Sequence, residues 1–207
     1  MNKIEELYLS QKYLFKIFIS FLISINVSAF TYIGVAGNYS TVNYEPMEQY
    51  NVKPTGTGLG YTLGFRSGFL ALEFSYIGVS ASGDIIHDSV SNKIIHDQKT
   101  YSVNLNLFLN KRLYFKFGYG IYKLDHTLET DVASYTRDAI ASTYGFKNES
   151  HGGLAYGLGI NFFKVNKGFN LYTSIDRYQF DSEGVTTTVQ LGIKYIFKLG
   201  IQSLLGR

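Results

Sequence analysis

The stretch Val185-Thr-Thr-Thr-Val-Gln-Leu-Gly-Ile-Lys-Tyr-Ile-Phe197 decides the architecture. Val185, Thr187, Val189, Leu191, Ile193, Tyr195 and Phe197 take the odd positions, and Thr186, Thr188, Gln190, Gly192, Lys194 and Ile196 the even ones. Successive side chains of a strand point to opposite faces, so this is a strand with one apolar and one mostly polar face. A strand of a soluble sandwich reads the same way. The number of similar segments before it decides otherwise, together with the destination written into the N-terminus.

Working back from this stretch, seven more segments alternate. They are Thr31–Thr41, Gly56–Phe65, Phe69–Val79, Thr100–Leu109, Leu113–Leu124, His151–Phe162 and Phe169–Phe180. Leu59, Tyr61, Leu63 and Phe65 oppose Gly58, Gly60, Thr62 and Gly64, and Phe115, Phe117, Tyr119 and Ile121 oppose Tyr114, Lys116, Gly118 and Gly120. Links between segments alternate in length. Arg66–Gly68, Asn110–Arg112 and Lys164–Gly168 are short, whereas Thr41–Thr55, Ser80–Lys99 and Asp125–Ser150 are long. Short turns on one rim and long loops on the other are the pattern of a transmembrane β-barrel. The segments also have the length that a tilted strand needs to cross hydrocarbon, about twice that of a soluble strand.

The polar faces agree. Gly58/Gly60, Gly118/Gly120 and Gly157/Gly159 are same-face pairs, and a narrow barrel interior needs small residues opposite large ones. The face rich in Leu, Ile, Phe and Tyr would be a large apolar surface in water, and a bilayer resolves that conflict. Tyr39, Phe65, Phe69, Tyr101, Tyr122, Phe162, Phe169 and Phe197, near segment ends, are read as interfacial girdles. The fold expected is all-β: an eight-stranded antiparallel up-and-down transmembrane barrel with short periplasmic turns and longer extracellular loops.

Lys12 and Lys16 precede the apolar run Ile17–Ile25, and Val27-Ser-Ala29 supplies the small residues of a cleavage site. That reads as a cleaved signal peptide over 1–29, too short for a membrane anchor, with a barrel over 30–197 and a short tail over 198–207. The 207 residues contain no Cys, which removes thiol catalysis, Cys-type zinc sites and disulfides. A net charge of +3, evenly spread, gives no footprint for nucleic acid.

Gln190-Leu-Gly-Ile-Lys-Tyr-Ile-Phe197 resembles the C-terminal signal of bacterial outer-membrane barrels: a polar residue, a glycine two later, then alternating aromatic and apolar residues. Thr31–Tyr39 and Phe69–Tyr76 resemble the first and third strands of small barrels of the OmpA/OmpX/opacity-protein kind. The resemblance covers essentially the whole chain after Ala29. It implies an outer-membrane location, outer-membrane lipid as surroundings, and insertion by the barrel assembly machinery, which reads Gln190, Gly192, Tyr195 and Phe197. This chain departs from the pattern by continuing past Phe197.

Candidate chemistry is thin. Gly56-x-Gly58-x-Gly60 sits within an alternating strand with no helix after it, so it fails the context test for a phosphate-cradling loop. Ile85-Ile-His-Asp88 recurs as Ile94-Ile-His-Asp97. A hairpin turning at Ser91-Asn92 would set His87 opposite His96, but His and Asp next to one another on a strand point apart, so a chance repeat is the better reading than a metal site. His151 beside Ser150, and His126 near Asp125 and Asp131, make no obvious triad. No metal site, cofactor or catalytic residue is assigned.

In the lumen, Glu73, Lys116 and Lys194 fall at similar depths, with Asp176 higher. An eight-stranded interior is nearly filled by side chains, so these four are expected to pair and to close the barrel to solutes. The function expected is a monomeric, non-enzymatic surface scaffold presenting Ser80–Lys99 and Asp125–Ser150 to host or surface ligands. The alternatives are a small pore and an outer-membrane lipid-modifying enzyme.

Overall fold

The computed structural model describes residues 30–48, 50–87, 90–129, 149–162, 168–180 and 184–197. The expected signal peptide, the tail after Phe197 and residues 130–148 of the expected long loop lie outside the described residues.

Eight strands run β1 (Phe30–Tyr44), β2 (Thr55–Ser67), β3 (Leu70–His87), β4 (Val90–Phe108), β5 (Leu113–Glu129), β6 (Glu149–Asn161), β7 (Gly168–Phe180) and β8 (Gly184–Phe197). Each pairs antiparallel with its neighbour in sequence, and β8 closes the ring on β1 from Thr31↔Phe197 to Tyr44↔Gly184. A four-residue helix, α1 (Glu45–Glu48), follows β1. The short turns are built from local chemistry. Gly68 takes a positive φ of 59°, open to glycine without strain. The side-chain oxygen of Asn110 accepts from the amides of Arg112 and Leu113 at 2.7 and 2.8 Å.

Through the short-turn half of the barrel the apolar face points out. Ile33, Leu63, Leu105, Phe117, Leu158 and Leu191 are all exposed, while Thr62, Ser75, Asn104, Lys116 and Gln190 are buried. This inside-out order suits hydrocarbon outside and a polar lumen within. Inside, glycines and rings share space: a Cβ at Gly64 would fall on the Tyr32 ring, and one at Gly159 on the Tyr114 ring. The glycines are sockets for tyrosines.

Towards the other rim the order reverses. Val42, Tyr44, Ile77, Val79, Ile85, Ile94, Leu124, Leu128 and Phe180 pack inward as an apolar cluster, together with Met47 of α1 and Val52. Outward positions there are Asp84, Lys93, Asp97, Lys99, Lys123 and Asp125. The strands have left the hydrocarbon and read like an ordinary half-buried sheet in water.

That reversal corrects the expected loop over Ser80–Lys99. β3 and β4 pair continuously up to His87↔Val90, so the stretch is a projecting pair of strands and not an irregular loop. Its alternation is hidden in the sequence because polar and apolar residues fall on both faces: Asn92, His96 and Gln98 are buried beside Ile85 and Ile94, whereas Ile86 is exposed with Asp84 and Lys99. A second correction concerns Tyr122, expected in a girdle. It shares its face with Tyr114 and Lys116, lies fully buried, and donates to the Leu154 carbonyl at 2.9 Å.

Candidate functional site

The middle of the lumen holds an ionic cluster. Glu73 (β3), Lys116 (β5) and Lys194 (β8) are at most 5% exposed. The ammonium of Lys116 lies 3.2 Å from Glu73 Oε1 and 3.2 Å from Asp176 Oδ1, and that of Lys194 3.1 Å from Glu73 Oε2. Neutral donors complete the shell. Tyr32 (2.8 Å) and Asn106 (3.2 Å) donate to Glu73 Oε2, and Ser75 (3.2 Å) to Oε1. Ser174 and Gln190 both donate to Asp176 Oδ2 at 2.7 Å. Barrel stagger sets Asp176 beside Lys116 rather than above it: Lys116↔Gly157 and Gly157↔Asp176 are successive register pairs.

Lys194 also sits among three rings, 4.2 Å from the centroid of Tyr172, 4.8 Å from Tyr32 and 5.3 Å from Tyr114. Two charges of each sign, each hydrogen-bonded, is the arrangement that makes buried ions tolerable. Sequence parity picked out the four ions. It did not pick out Tyr32, Asn106 or Ser75 as their partners, because that depends on stagger, which no single strand reveals.

Apolar layers lie above and below the ions. On the short-turn side, Tyr32, Ala71, Phe108, Tyr114 and Ile196 cluster, with the Arg66 guanidinium 3.5 Å over the Phe108 ring. On the other side, Tyr122 packs in a T-shape against Tyr178 and tilted against Phe180, beneath the cap formed by Tyr44, Met47 and Val52.

Within that cap His96 Nδ1 and His126 Nε2 approach to 2.8 Å, from directly opposed positions on β4 and β5. The His96 partner is therefore His126, and on β3 the residue opposite is Ala81, not His87 as a turn at Ser91-Asn92 would require. Tyr44 stacks on His126 at 5.1 Å, and the far nitrogen of His96 lies 3.4 Å from Gln98 Oε1, which accepts from Thr186 at 2.6 Å. Burial and the neighbouring His126 ring push the His96 imidazole down to about 3. Among the described residues no group of three or more His, Asp or Glu is placed to hold a metal.

The four terminal-strand residues divide between two faces. Gln190 and Gly192 point into the lumen, Gln190 onto Asp176 and Gly192 against the Tyr172 ring. Tyr195 and Phe197 point out at the short-turn rim, Tyr195 meeting Phe169 at 5.0 Å and Phe197 at 6.1 Å.

No protein-family model and no curated protein sequence matches this chain. Solved structures do. Ail, the attachment invasion locus protein of Yersinia pestis, seen in complex with the heparin analogue sucrose octasulfate, is 19% identical with a TM-score of 0.53. The match covers 83% of this chain and 100% of Ail. Neisserial surface protein A is 10% identical with a TM-score of 0.46, over 81% of this chain and 97% of that one. At these identities the likeness is one of architecture, and it agrees with the strand order found here: the chain is an eight-stranded membrane-spanning β-barrel with the fold of Ail.

Proposed function

We propose that the chain is a bacterial outer-membrane surface protein whose barrel is a sealed scaffold, not a conduit. The observation that carries this reading is the continuous filling of the lumen: an apolar layer at each end and the Glu73–Lys116–Asp176–Lys194 cluster between them. The short-turn rim faces the periplasm. The projecting β3–β4 hairpin, with the adjoining end of β5, faces outward and supplies the surface for adhesion or other contacts. The attachment role in the name of Ail, and its heparin-analogue complex, support a contact function of that kind. Export by a signal peptide over 1–29 and insertion through Gln190, Gly192, Tyr195 and Phe197 belong to the same reading, as do a monomeric state and the absence of enzymatic activity.

Planar-bilayer recording of the unmodified protein tests it. A sealed scaffold gives no stable large channels. Their appearance would promote the small pore, and lipid turnover by the purified protein the lipid-modifying enzyme.

A further inference from the structure

Where the outward face changes from apolar to charged, the register builds an ordered pair of rows. Tyr61↔Tyr76 and Tyr76↔Tyr101 place three tyrosines side by side on β2, β3 and β4. Their rings are 6.1 and 5.2 Å apart. Such a row marks the membrane–water interface. Two residues farther out, Gly78↔Lys99 and Lys99↔Lys123 set two exposed lysines directly opposite each other. Like charges so placed, with Cβ atoms about 5 Å apart, repel unless an anion is shared between them. Among the described residues neither lysine forms an ion pair; Lys123 stands 6.0 Å over the Tyr101 ring.

Two grooves meet at this point. The outer one, about 700 Å³, is bordered by Leu59, Gly78, Lys99 and Lys123, with Asp97, Asp125 and Glu149 also on its wall. Gly78, lacking a side chain, keeps its floor low. The inner one, about 630 Å³, runs into the apolar belt past Leu63, Phe74, Val103 and Ile121. Tyr61 and Tyr76 line both, so the two form one amphipathic track with an apolar tail and a charged head, in which Lys99 and Lys123 lie nearer the apolar belt than Asp97 and Asp125.

We propose that this track binds one phosphate-bearing lipid of the outer leaflet, its phosphate between Lys99 and Lys123 and an acyl chain along Leu63, Val103 and Ile121. Asp97↔Asp125, directly opposed one row farther from the membrane, decides between a lipid and a dissolved anion. A phosphate arriving from solution meets two carboxylates first. A headgroup held by its chains rises to the lysines from below and leaves the carboxylates on its solvent side. The inference rests on the membrane-spanning fold and is independent of the adhesion reading and of whether the lumen conducts.

The full chain, reconstituted in phosphatidylcholine nanodiscs carrying a minor fraction of phosphatidic acid, is extracted and its retained lipid identified by native mass spectrometry. The unmodified protein keeps phosphatidic acid in preference to phosphatidylcholine. Lys99→Gln and Lys123→Gln each lower that preference about fivefold, the typical weight of one lysine at an anionic lipid surface. Gly78→Val raises the floor with both charges intact and lowers retention as well, while Lys93→Gln, farther out on the same strand, leaves it unchanged. Heat-modified gel migration reports folding of each variant. Equal retention of the two lipids, or lysine variants that fold and retain phosphatidic acid fully, overturns the proposal. Competition by glycerol 3-phosphate as effective as by the lipid replaces it with a free-anion site.

Discussion

Glu73 accepts from two lysines, a tyrosine, an asparagine and a serine, and so holds the lumen together from one side chain. Glu73→Gln keeps the shape but leaves Lys116 with Asp176 alone and takes from Lys194 its carboxylate partner. Stranding buried charge costs about 3–5 kcal/mol, so urea unfolding in detergent should show a clearly lower midpoint. An unchanged midpoint would mean that water, not protein, solvates these lysines. Packing gives a second test at this scale. Gly64→Ala drives a methyl onto the Tyr32 ring, an overpacking that costs about 1–3 kcal/mol. Combined with Tyr32→Ala, the two substitutions should cost less than the sum of the single ones, since removing the ring empties the contested space. Strict additivity would show that the ring already moves aside.

Among the elements, the cap over the lumen is sensitive to acid. His96 is neutral in the folded state, held down to about 3 by burial and then by His126, against an unfolded value near 6.5. The unfolded or opened state therefore binds more protons below about pH 6.5, and stability is full above that pH and falls as pH drops towards 3. Hydrogen-exchange protection at the end of β1, taken relative to the intrinsic exchange rate at each pH, should fall through that window, and His96→Gln should flatten the dependence; pH-independent protection in the unmodified protein would contradict it. The same hairpin offers a topology test. An impermeant thiol reagent on intact cells should label Ile86→Cys, whose side chain is 76% exposed on β3, and not Lys111→Cys in the β4–β5 turn. Labelling of Lys111→Cys alone inverts the barrel.

Over the whole molecule, the terminal strand that made the architecture readable also joins its ends. Tyr195→Ala with Phe197→Ala should reduce insertion and leave periplasmic aggregate, scored by membrane fractionation; normal insertion would place the assembly signal elsewhere. Parity within single strands was enough to read eight spans, an inward set of Glu73, Lys116, Asp176 and Lys194, and the outward aromatic belt. What it missed has two physical causes. Beyond the hydrocarbon the faces exchange character and mix polar with apolar residues, so Ser80–Lys99 looked like a polar link although its two strands pair continuously. Contacts across strands depend on register, which no single strand discloses. A turn read at Ser91-Asn92 moved His96 away from Ala81 and left its pairing with His126 unseen.

The β1–β8 seam, from Thr31↔Phe197 to Tyr44↔Gly184, joins the first and last strands of the barrel across nearly its full length. Its contacts are therefore the most distant in sequence that the fold contains, and their closure entropy is met before any of them is rewarded. Until Gly184–Phe197 docks, β1 and β7 both present bare edges with unpaired amides and carbonyls, which lipid cannot satisfy. A seven-stranded intermediate thus has no comfortable place in the membrane. Closure therefore waits on the last strand, and a chain interrupted before residue 184 is expected to fail to insert.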